Sequence, residues 1–131
     1  MAAADPLDPA LLAFWAERHL CSLTTLRPDG SPHVVAVGAT FDPDTMTARI
    51  ITRDASVKVR NVEHGAGDAR VAICQVHGRQ WSTLEGIARV SRDPADIAES
   101  VRRYAERYRQ PRENPSRVTI LVAVDRVLGH A

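Results

Sequence analysis

The sequence predicts a mainly β protein: six antiparallel strands curled into a split β-barrel, with short α-helices on its flanks. Three observations predict it. Short β-rich runs recur at residues 20–26, 33–41, 47–52, 70–76, 81–91 and 118–127, separated by stretches with turn chemistry. The last run, Val118 to Val127, is apolar on both faces for several residues, as expected of a strand covered twice, by a core on one face and a partner subunit on the other. Only three segments carry a helix start followed by helical spacing. A small sheet with apolar patches on both faces reduces its exposed edges by curling, hence the barrel.

The helix signals are local and specific. Asp8-Pro9 supplies an N-cap acid and a proline at the first helical position, followed by Leu11, Leu12, Trp15 and Ala16 at helical spacing, with an end expected near His19. Asp93-Pro94 repeats that signal and opens a helix with Ile97, Val101, Tyr104, Ala105 and Tyr108 on one face and a row of arginines largely on the other; Pro111 is expected to end it. Between them, Ser56 is placed to cap a helix over Val57 to His64 that Gly65 and Gly67 terminate. The strands are joined by turns of equal clarity: Arg27-Pro-Asp-Gly-Ser31 reverses the chain into a hairpin, and Asp42-Pro-Asp-Thr45 reverses it again. Gly86, inside the fifth run, marks a bulge or bend of the kind that barrels use at corners.

Length and composition bound the function. The 131 residues fit one domain, 1–131, large enough for a core. A hydrophobic content of 44% and a formal charge of +1 describe an ordinary globular chain with no overall field for nucleic acid or an acidic membrane. No run approaches a membrane span, and the acidic N-terminal residues do not read as a signal peptide, so a cytoplasmic location is expected. Cys21 and Cys74 lack metal spacing and read as buried free thiols; His19, His64, His77 and His130 share no ligand or triad spacing, so neither a metal site nor a side-chain catalytic set is expected. Walker, Rossmann, Gly-x-Ser-x-Gly and His-Glu-x-x-His patterns are absent, which argues against nucleotide-hydrolysing, esterase and zinc-protease chemistry.

The most informative stretch is Arg49 to Asn61, where a strand hands over to a helix N-terminus. Arg53, Ser56, Lys58 and Arg60 sit at that junction, and Lys58 is the only lysine beside sixteen arginines. Cations, a hydroxyl and free N–H groups at one helix start suit a phosphate; the same residues also suit a solvated basic turn.

The run Leu23-Thr-Thr-Leu-Arg-Pro-Asp-Gly-Ser-Pro-His-Val-Val-Ala-Val37, the junction through Ser56, Lys58 and Asn61, Cys74-Gln-Val76 and Trp81-Ser-Thr-Leu-Glu-Gly86 together resemble the split β-barrel flavin and deazaflavin oxidoreductases, a superfamily that includes the pyridoxamine phosphate oxidases. Within it, Pro32-His-Val-Val-Ala-Val-Gly38 and Arg107-Tyr-Arg-Gln-Pro-Arg112 are most similar to the coenzyme F420-dependent biliverdin reductases of actinobacteria. The resemblance implies a homodimer with cofactors between protomers, a ring lying against His33, Val34, Val35, Ala36 and Val37, and a phosphate near Thr52, Arg53, Ser56 and Lys58, with Asn61 supporting it. Gln75 and Trp81 would line the site, and Gly38 would relieve crowding against the ligand. The implied reaction is hydride transfer from reduced coenzyme F420 to biliverdin or a related acceptor; FMN-dependent oxidation and non-catalytic cofactor binding are the alternatives. Because biliverdin carries two propionates, Arg79, Arg107, Arg109 and Arg112 are candidates for substrate binding, against the plainer reading of a solvated helix face and tail.

Overall fold

The computed structural model describes residues 3–131. Three α-helices and seven strands follow the order α1 (Pro9–Ala16), β1 (Cys21–Leu26), β2 (Pro32–Val37), β3 (Ala39–Asp42), β4 (Thr47–Arg53), α2 (Val57–His64), β5 (Ala69–His77), β6 (Gln80–Ser91), α3 (Pro94–Arg107) and β7 (Arg117–His130). All strand pairings are antiparallel, in the sheet order β2-β1-β5-β6-β7-β4-β3. The expected mainly β class holds, with one strand more than the six foreseen. The run 33–41 breaks at Gly38 into β2 and β3, and these are the two outer strands of the sheet. A single residue thus carries the chain from one edge to the other, and the split of the barrel lies there.

Gly38 is required by its neighbours. A Cβ at this position would lie 2.7 Å from the Tyr104 ring and 3.2 Å from the Tyr108 ring. The crowding that the glycine relieves therefore comes from α3, where a ligand was expected. Tyr108 then serves as a bridge across the split: its hydroxyl donates to the carbonyl of His19 at 2.7 Å and accepts from the N–H of Ala39 at 3.1 Å.

Alternation sets the core. Val35, Leu23, Ile73 and Leu84 form one inward row across β2, β1, β5 and β6, and Ile50, Ile120 and Val122 continue the core on the other side. Leu11 and Trp15 of α1 pack into the core, the Trp15 indole N–H donating to Ser82 Oγ at 2.9 Å; Val59 and Val62 of α2 also enter it, and the Asn61 amide donates to Thr25 Oγ1 at 2.9 Å. The helix starts behave as their sequences require: Asp8 and Asp93 each accept from the N–H two residues on. Gly86 does sit at a bulge. Glu85 faces Arg126 but Gly86 faces Val124, leaving Asp125 as the extra residue on β7. A Cβ at Gly86 would lie 2.1 Å from the Ala123 carbonyl oxygen.

Three expectations are corrected. β7 is doubly covered, but within its own chain: Val118, Ile120 and Val122 face the core, while Thr119, on the other face, donates to Ser100 of α3 at 2.8 Å. It therefore needs no second copy to cover it. Arg107, expected at the substrate, is 8% exposed. Its guanidinium donates to the carbonyls of Glu17 (2.8 Å) and Ala39 (2.6 Å) and to Gln75 Oε1 (2.6 Å), and lies over the Trp15 ring at 5.2 Å. A guanidinium engaged on all sides has no donor left for a propionate. Gln75, expected to line the cofactor, is 1% exposed and bonds inward, to Arg107 and, through its amide N–H, to the carbonyl of Phe14 at 3.0 Å.

Arg107→Ala would strip Gln75 Oε1 and the Glu17 and Ala39 carbonyls of their guanidinium donors at once. We expect a loss of about 2–4 kcal/mol in urea unfolding, whereas Arg109→Ala, at an exposed position, should stay within about 0.5 kcal/mol.

Candidate functional site

An open groove of about 440 Å³ lies at the split, lined by Ala36, Val37 and Gly38 from the β2 end, Ile51, Thr52 and Arg53 from β4, Lys58 from α2, Tyr104 from α3, and Pro111, Asn114 and Arg117. Each element arrives for a local reason. β4 ends at Arg53; the turn after it is fixed by the Asp54 N–H donating to Ser116 at 2.8 Å and by the Asp54 carboxylate receiving Arg92 at 2.6 Å. Arg92 also reaches Glu63 at 3.1 Å, so one guanidinium ties the turn to both α2 and the start of α3. Ser56 was expected to cap α2 with its hydroxyl, but makes no such bond. That hydroxyl is buried and accepts from Thr52 Oγ1 at 3.3 Å. The first N–H groups of α2 therefore stay available, and the helix presents its positive end.

The charge pattern is one-sided. No carboxylate, cysteine or histidine lines the groove, and among the described residues Arg53, Lys58 and Arg117 have no carboxylate partner. Arg53 and Arg117 face each other directly across the β4–β7 ladder, a like-charge pairing that costs stability in the absence of an anion. Burial lowers the Lys58 pKa from its ordinary 10.5, and the Arg53 charge lowers it further. An anion in the groove relieves all of these at once.

Of the residues expected at a cofactor, the structure brings together Ala36, Val37, Thr52, Arg53 and Lys58, with Ser56 immediately behind. It does not bring the rest. His33, Val34 and Val35 lie farther down β2; His33 and Val35 point inward, and His33 Nδ1 is buried without a partner. Asn61 faces away from the groove and fastens α2 to β1. Trp81 sits on β6, three strands from β2 in the sheet, paired with Val76. Among the arginines, Arg79 is exposed in the β5–β6 turn, while Arg109 and Arg112 are exposed in the segment after α3 that borders the groove at Pro111. Sequence reading missed Tyr104, read only as part of an apolar helix face, and Arg117, passed over at the start of β7. The opposition of Arg117 to Arg53 appears only once the ladder register is known.

Because the folded-state pKa of Lys58 lies below its unfolded value, its charge opposes folding fully below the folded pKa, and the penalty fades as pH rises toward 10.5. Ligand-free Lys58→Gln should therefore melt at or above the native temperature at pH 7–8. That difference should close above roughly pH 10.

The chain matches the pyridoxamine 5'-phosphate oxidase family over residues 7–131. It is 52% identical over 125 residues to an F420H(2)-dependent biliverdin reductase of Mycobacterium tuberculosis (strain CDC 1551 / Oshkosh), a match covering 95% of this chain and 89% of that protein. Among solved structures, the conserved hypothetical protein Rv2991 of Mycobacterium tuberculosis superposes with a TM-score of 0.77 at 21% identity, covering 98% of this chain and 89% of that one. An F420 reductase superposes at 0.70 and 22% identity, covering 88% and 94%. These two show the shared fold. With the split barrel, the groove at its seam and a family match across nearly its whole length, the chain belongs to the pyridoxamine 5'-phosphate oxidase family.

Proposed function

We propose that the protein transfers a hydride from reduced coenzyme F420 to biliverdin, giving bilirubin, or to a related conjugated acceptor. The observation that carries this reading is the 52% identity, over 95% of the chain, to a reductase of that description. The groove fits the cofactor's chemistry. Ala36, Val37 and Ile51 give an apolar wall for a flat ring, and Arg53, Lys58 and the α2 N-terminus give an anion seat. As an outer strand, β2 also has backbone groups free on one edge to meet polar ring atoms. When bound, the reduced deazaflavin supplies the hydride from its own ring, which accounts for a groove without a carboxylate, cysteine or histidine. The chain's part is to seat the anion, hold the ring at the split and limit water around it. Arg112 and Arg109, beside the groove, remain the candidates for the acceptor's propionates, with Arg79 more remote.

The protein is further proposed to act as a homodimer, on different grounds from those given by its last strand. The outer face of β2-β1-β5-β6 carries two rows of mostly small or apolar side chains, Ala36, Ser22, Cys74, Thr83 and Val34, Thr24, Ala72, Glu85. Leu20, Val76 and Leu26 flank these rows with exposures of 70%, 65% and 50%. Val34, Ala36 and Val76 are exposed on that face, and such an apolar surface suits the same face of a second copy. Ring-binding strand β2 forms one side of it, and Trp81 lies on it.

Titration with coenzyme F420 and with FMN tests the cofactor: F420 is expected to bind at least about tenfold tighter, and the reduced form to support conversion of biliverdin. Tight FMN binding with no F420 binding would overturn the reading in favour of a flavin oxidase. For the assembly, native protein should sediment as a dimer at micromolar concentration and Ala72→Arg as a folded monomer. A native monomer would remove the proposed interface.

A further inference from the structure

We propose that the outer face of β4-β7-β6, beside α3, holds a binding site for a small organic carboxylate with an apolar body, and that Arg49 receives the carboxylate. Four of the sixteen arginines are not exposed: Arg49, Arg103, Arg107 and Arg117. Arg103 is paired with Asp42 and Glu99, Arg107 is closed by oxygens of its own chain, and Arg117 lines the cofactor groove. Arg49 is left without an anion. Its Nη1 donates to a neutral hydroxyl, Ser100 Oγ, at 3.1 Å; Nε is buried without a partner, and among the described residues no carboxylate pairs with the guanidinium. Thr119 donates to the same Ser100 Oγ at 2.8 Å, which holds the hydroxyl, and so the guanidinium, in place. A half-buried cation in that state is poorly compensated, and an anion at its remaining donors would offset the cost.

The surroundings define the rest of the ligand. A cavity of about 400 Å³, within the size range of small-molecule sites, opens beside Arg49. In the ladder register Thr47, Ala123 and Ile87 form one row across β4, β7 and β6, and Arg49, Leu121 and Arg89 form the next. Leu121, Ala123 and Ile87 make an apolar floor, bordered by Asp96 of α3 and Gly67 of the α2–β5 loop. Arg49 and Arg89 flank Leu121 one strand to either side, roughly 10 Å apart at the backbone. The one carboxylate lining the cavity, Asp96, accepts from Ser91 Oγ at 2.6 Å. Two guanidiniums against one carboxylate leave a single positive charge in excess, which suits a monoanion. A bare inorganic anion would leave the floor uncovered, and a neutral apolar molecule would leave Arg49 uncompensated. α3 contributes Asp96 to this cavity and Tyr104, two turns further on, to the cofactor groove, and the two share no lining residue. The assignment therefore stands independently of the hydride reading.

The test measures equilibrium binding of 2-naphthoate and of its neutral analogue 2-naphthamide to native protein, Arg49→Gln and Ala123→Phe, with backbone amide NMR to place the ligand. Native protein should bind the naphthoate at least about tenfold tighter than the amide, with shifts centred on Gly67, Ile87, Arg89 and Ala123. Arg49→Gln should abolish that preference. Ala123→Phe, which fills the floor from an exposed position, should block both ligands. Orthophosphate, which suits the Arg53–Lys58 seat, should not displace the naphthoate. Equal binding of acid and amide, shifts centred on the cofactor groove, displacement by phosphate, or no saturable binding at millimolar concentration overturns the site. A preference for the acid that survives in folded Arg49→Gln removes Arg49 from it and overturns the proposal as well. Should Arg49→Gln fail to fold, the acid-to-amide ratio in native protein and the block by Ala123→Phe decide between the same outcomes.

Discussion

The fold depends on a buried guanidinium without a carboxylate partner. Arg107 reaches from the last turn of α3 to Glu17 after α1, Ala39 at the start of β3 and Gln75 in β5, and is sandwiched by the Trp15 and Tyr108 rings. Burying a charge is costly unless its hydrogen bonds are met, and here carbonyl and amide oxygens meet them. The arrangement gathers elements that the ladder alone would leave apart. β3 is an outer strand, and α1 and α3 lie on the surface; a single side chain fastens all three to the barrel at its split. The groove inherits its walls from this, since Tyr104 and Pro111 flank Arg107 in sequence and line the site.

The groove and the knot solve opposite electrostatic problems. Around Arg107 each of the three guanidinium nitrogens has found an oxygen within the chain, so the charge is structural and closed. Around Arg53, Lys58 and Arg117 the charges are left facing one another, and Arg92 takes Asp54, the acid next to Arg53 in sequence. Stability is forgone at one end of the split and secured at the other. Such a separation leaves the binding end free to change its affinity for anions without loosening the barrel.

Where a local rule decides the structure, the sequence was legible. Asp8-Pro9 and Asp93-Pro94 start helices, Gly65 ends α2, Gly30 turns the first hairpin with φ of +86°, and Gly86 marks the bulge. Legibility failed where a side chain's partner lies far along the chain. An arginine on an exposed-looking helical stretch gives no sign that three oxygens, from residues 17, 39 and 75, wait around it. Ser56 and Asn61 belong to the β4–α2 junction that the sequence singles out. Their hydroxyl and amide are nevertheless engaged by Thr52 and Thr25. β7 was correctly read as covered twice, but periodicity does not say whether a helix of the same chain or a second copy does the covering.

The bulge at Asp125 has a consequence for how β7 can evolve. Before it, Val118, Ile120, Val122 and Val124 are buried on even positions; after it, Val127 is buried on an odd one, and exposed Asp125 pairs with Arg70 at 2.8 Å. The strand is therefore read in two frames joined at one residue. Without the bulge, a regular ladder running on through Asp125 would rotate everything beyond it by half a period, turning Val127 outward and Leu128 in. A substitution at Asp125 alters one exposed side chain. A one-residue insertion after it, with the bulge kept, reverses the faces of the last third of the strand, so in this segment added length is under tighter constraint than composition.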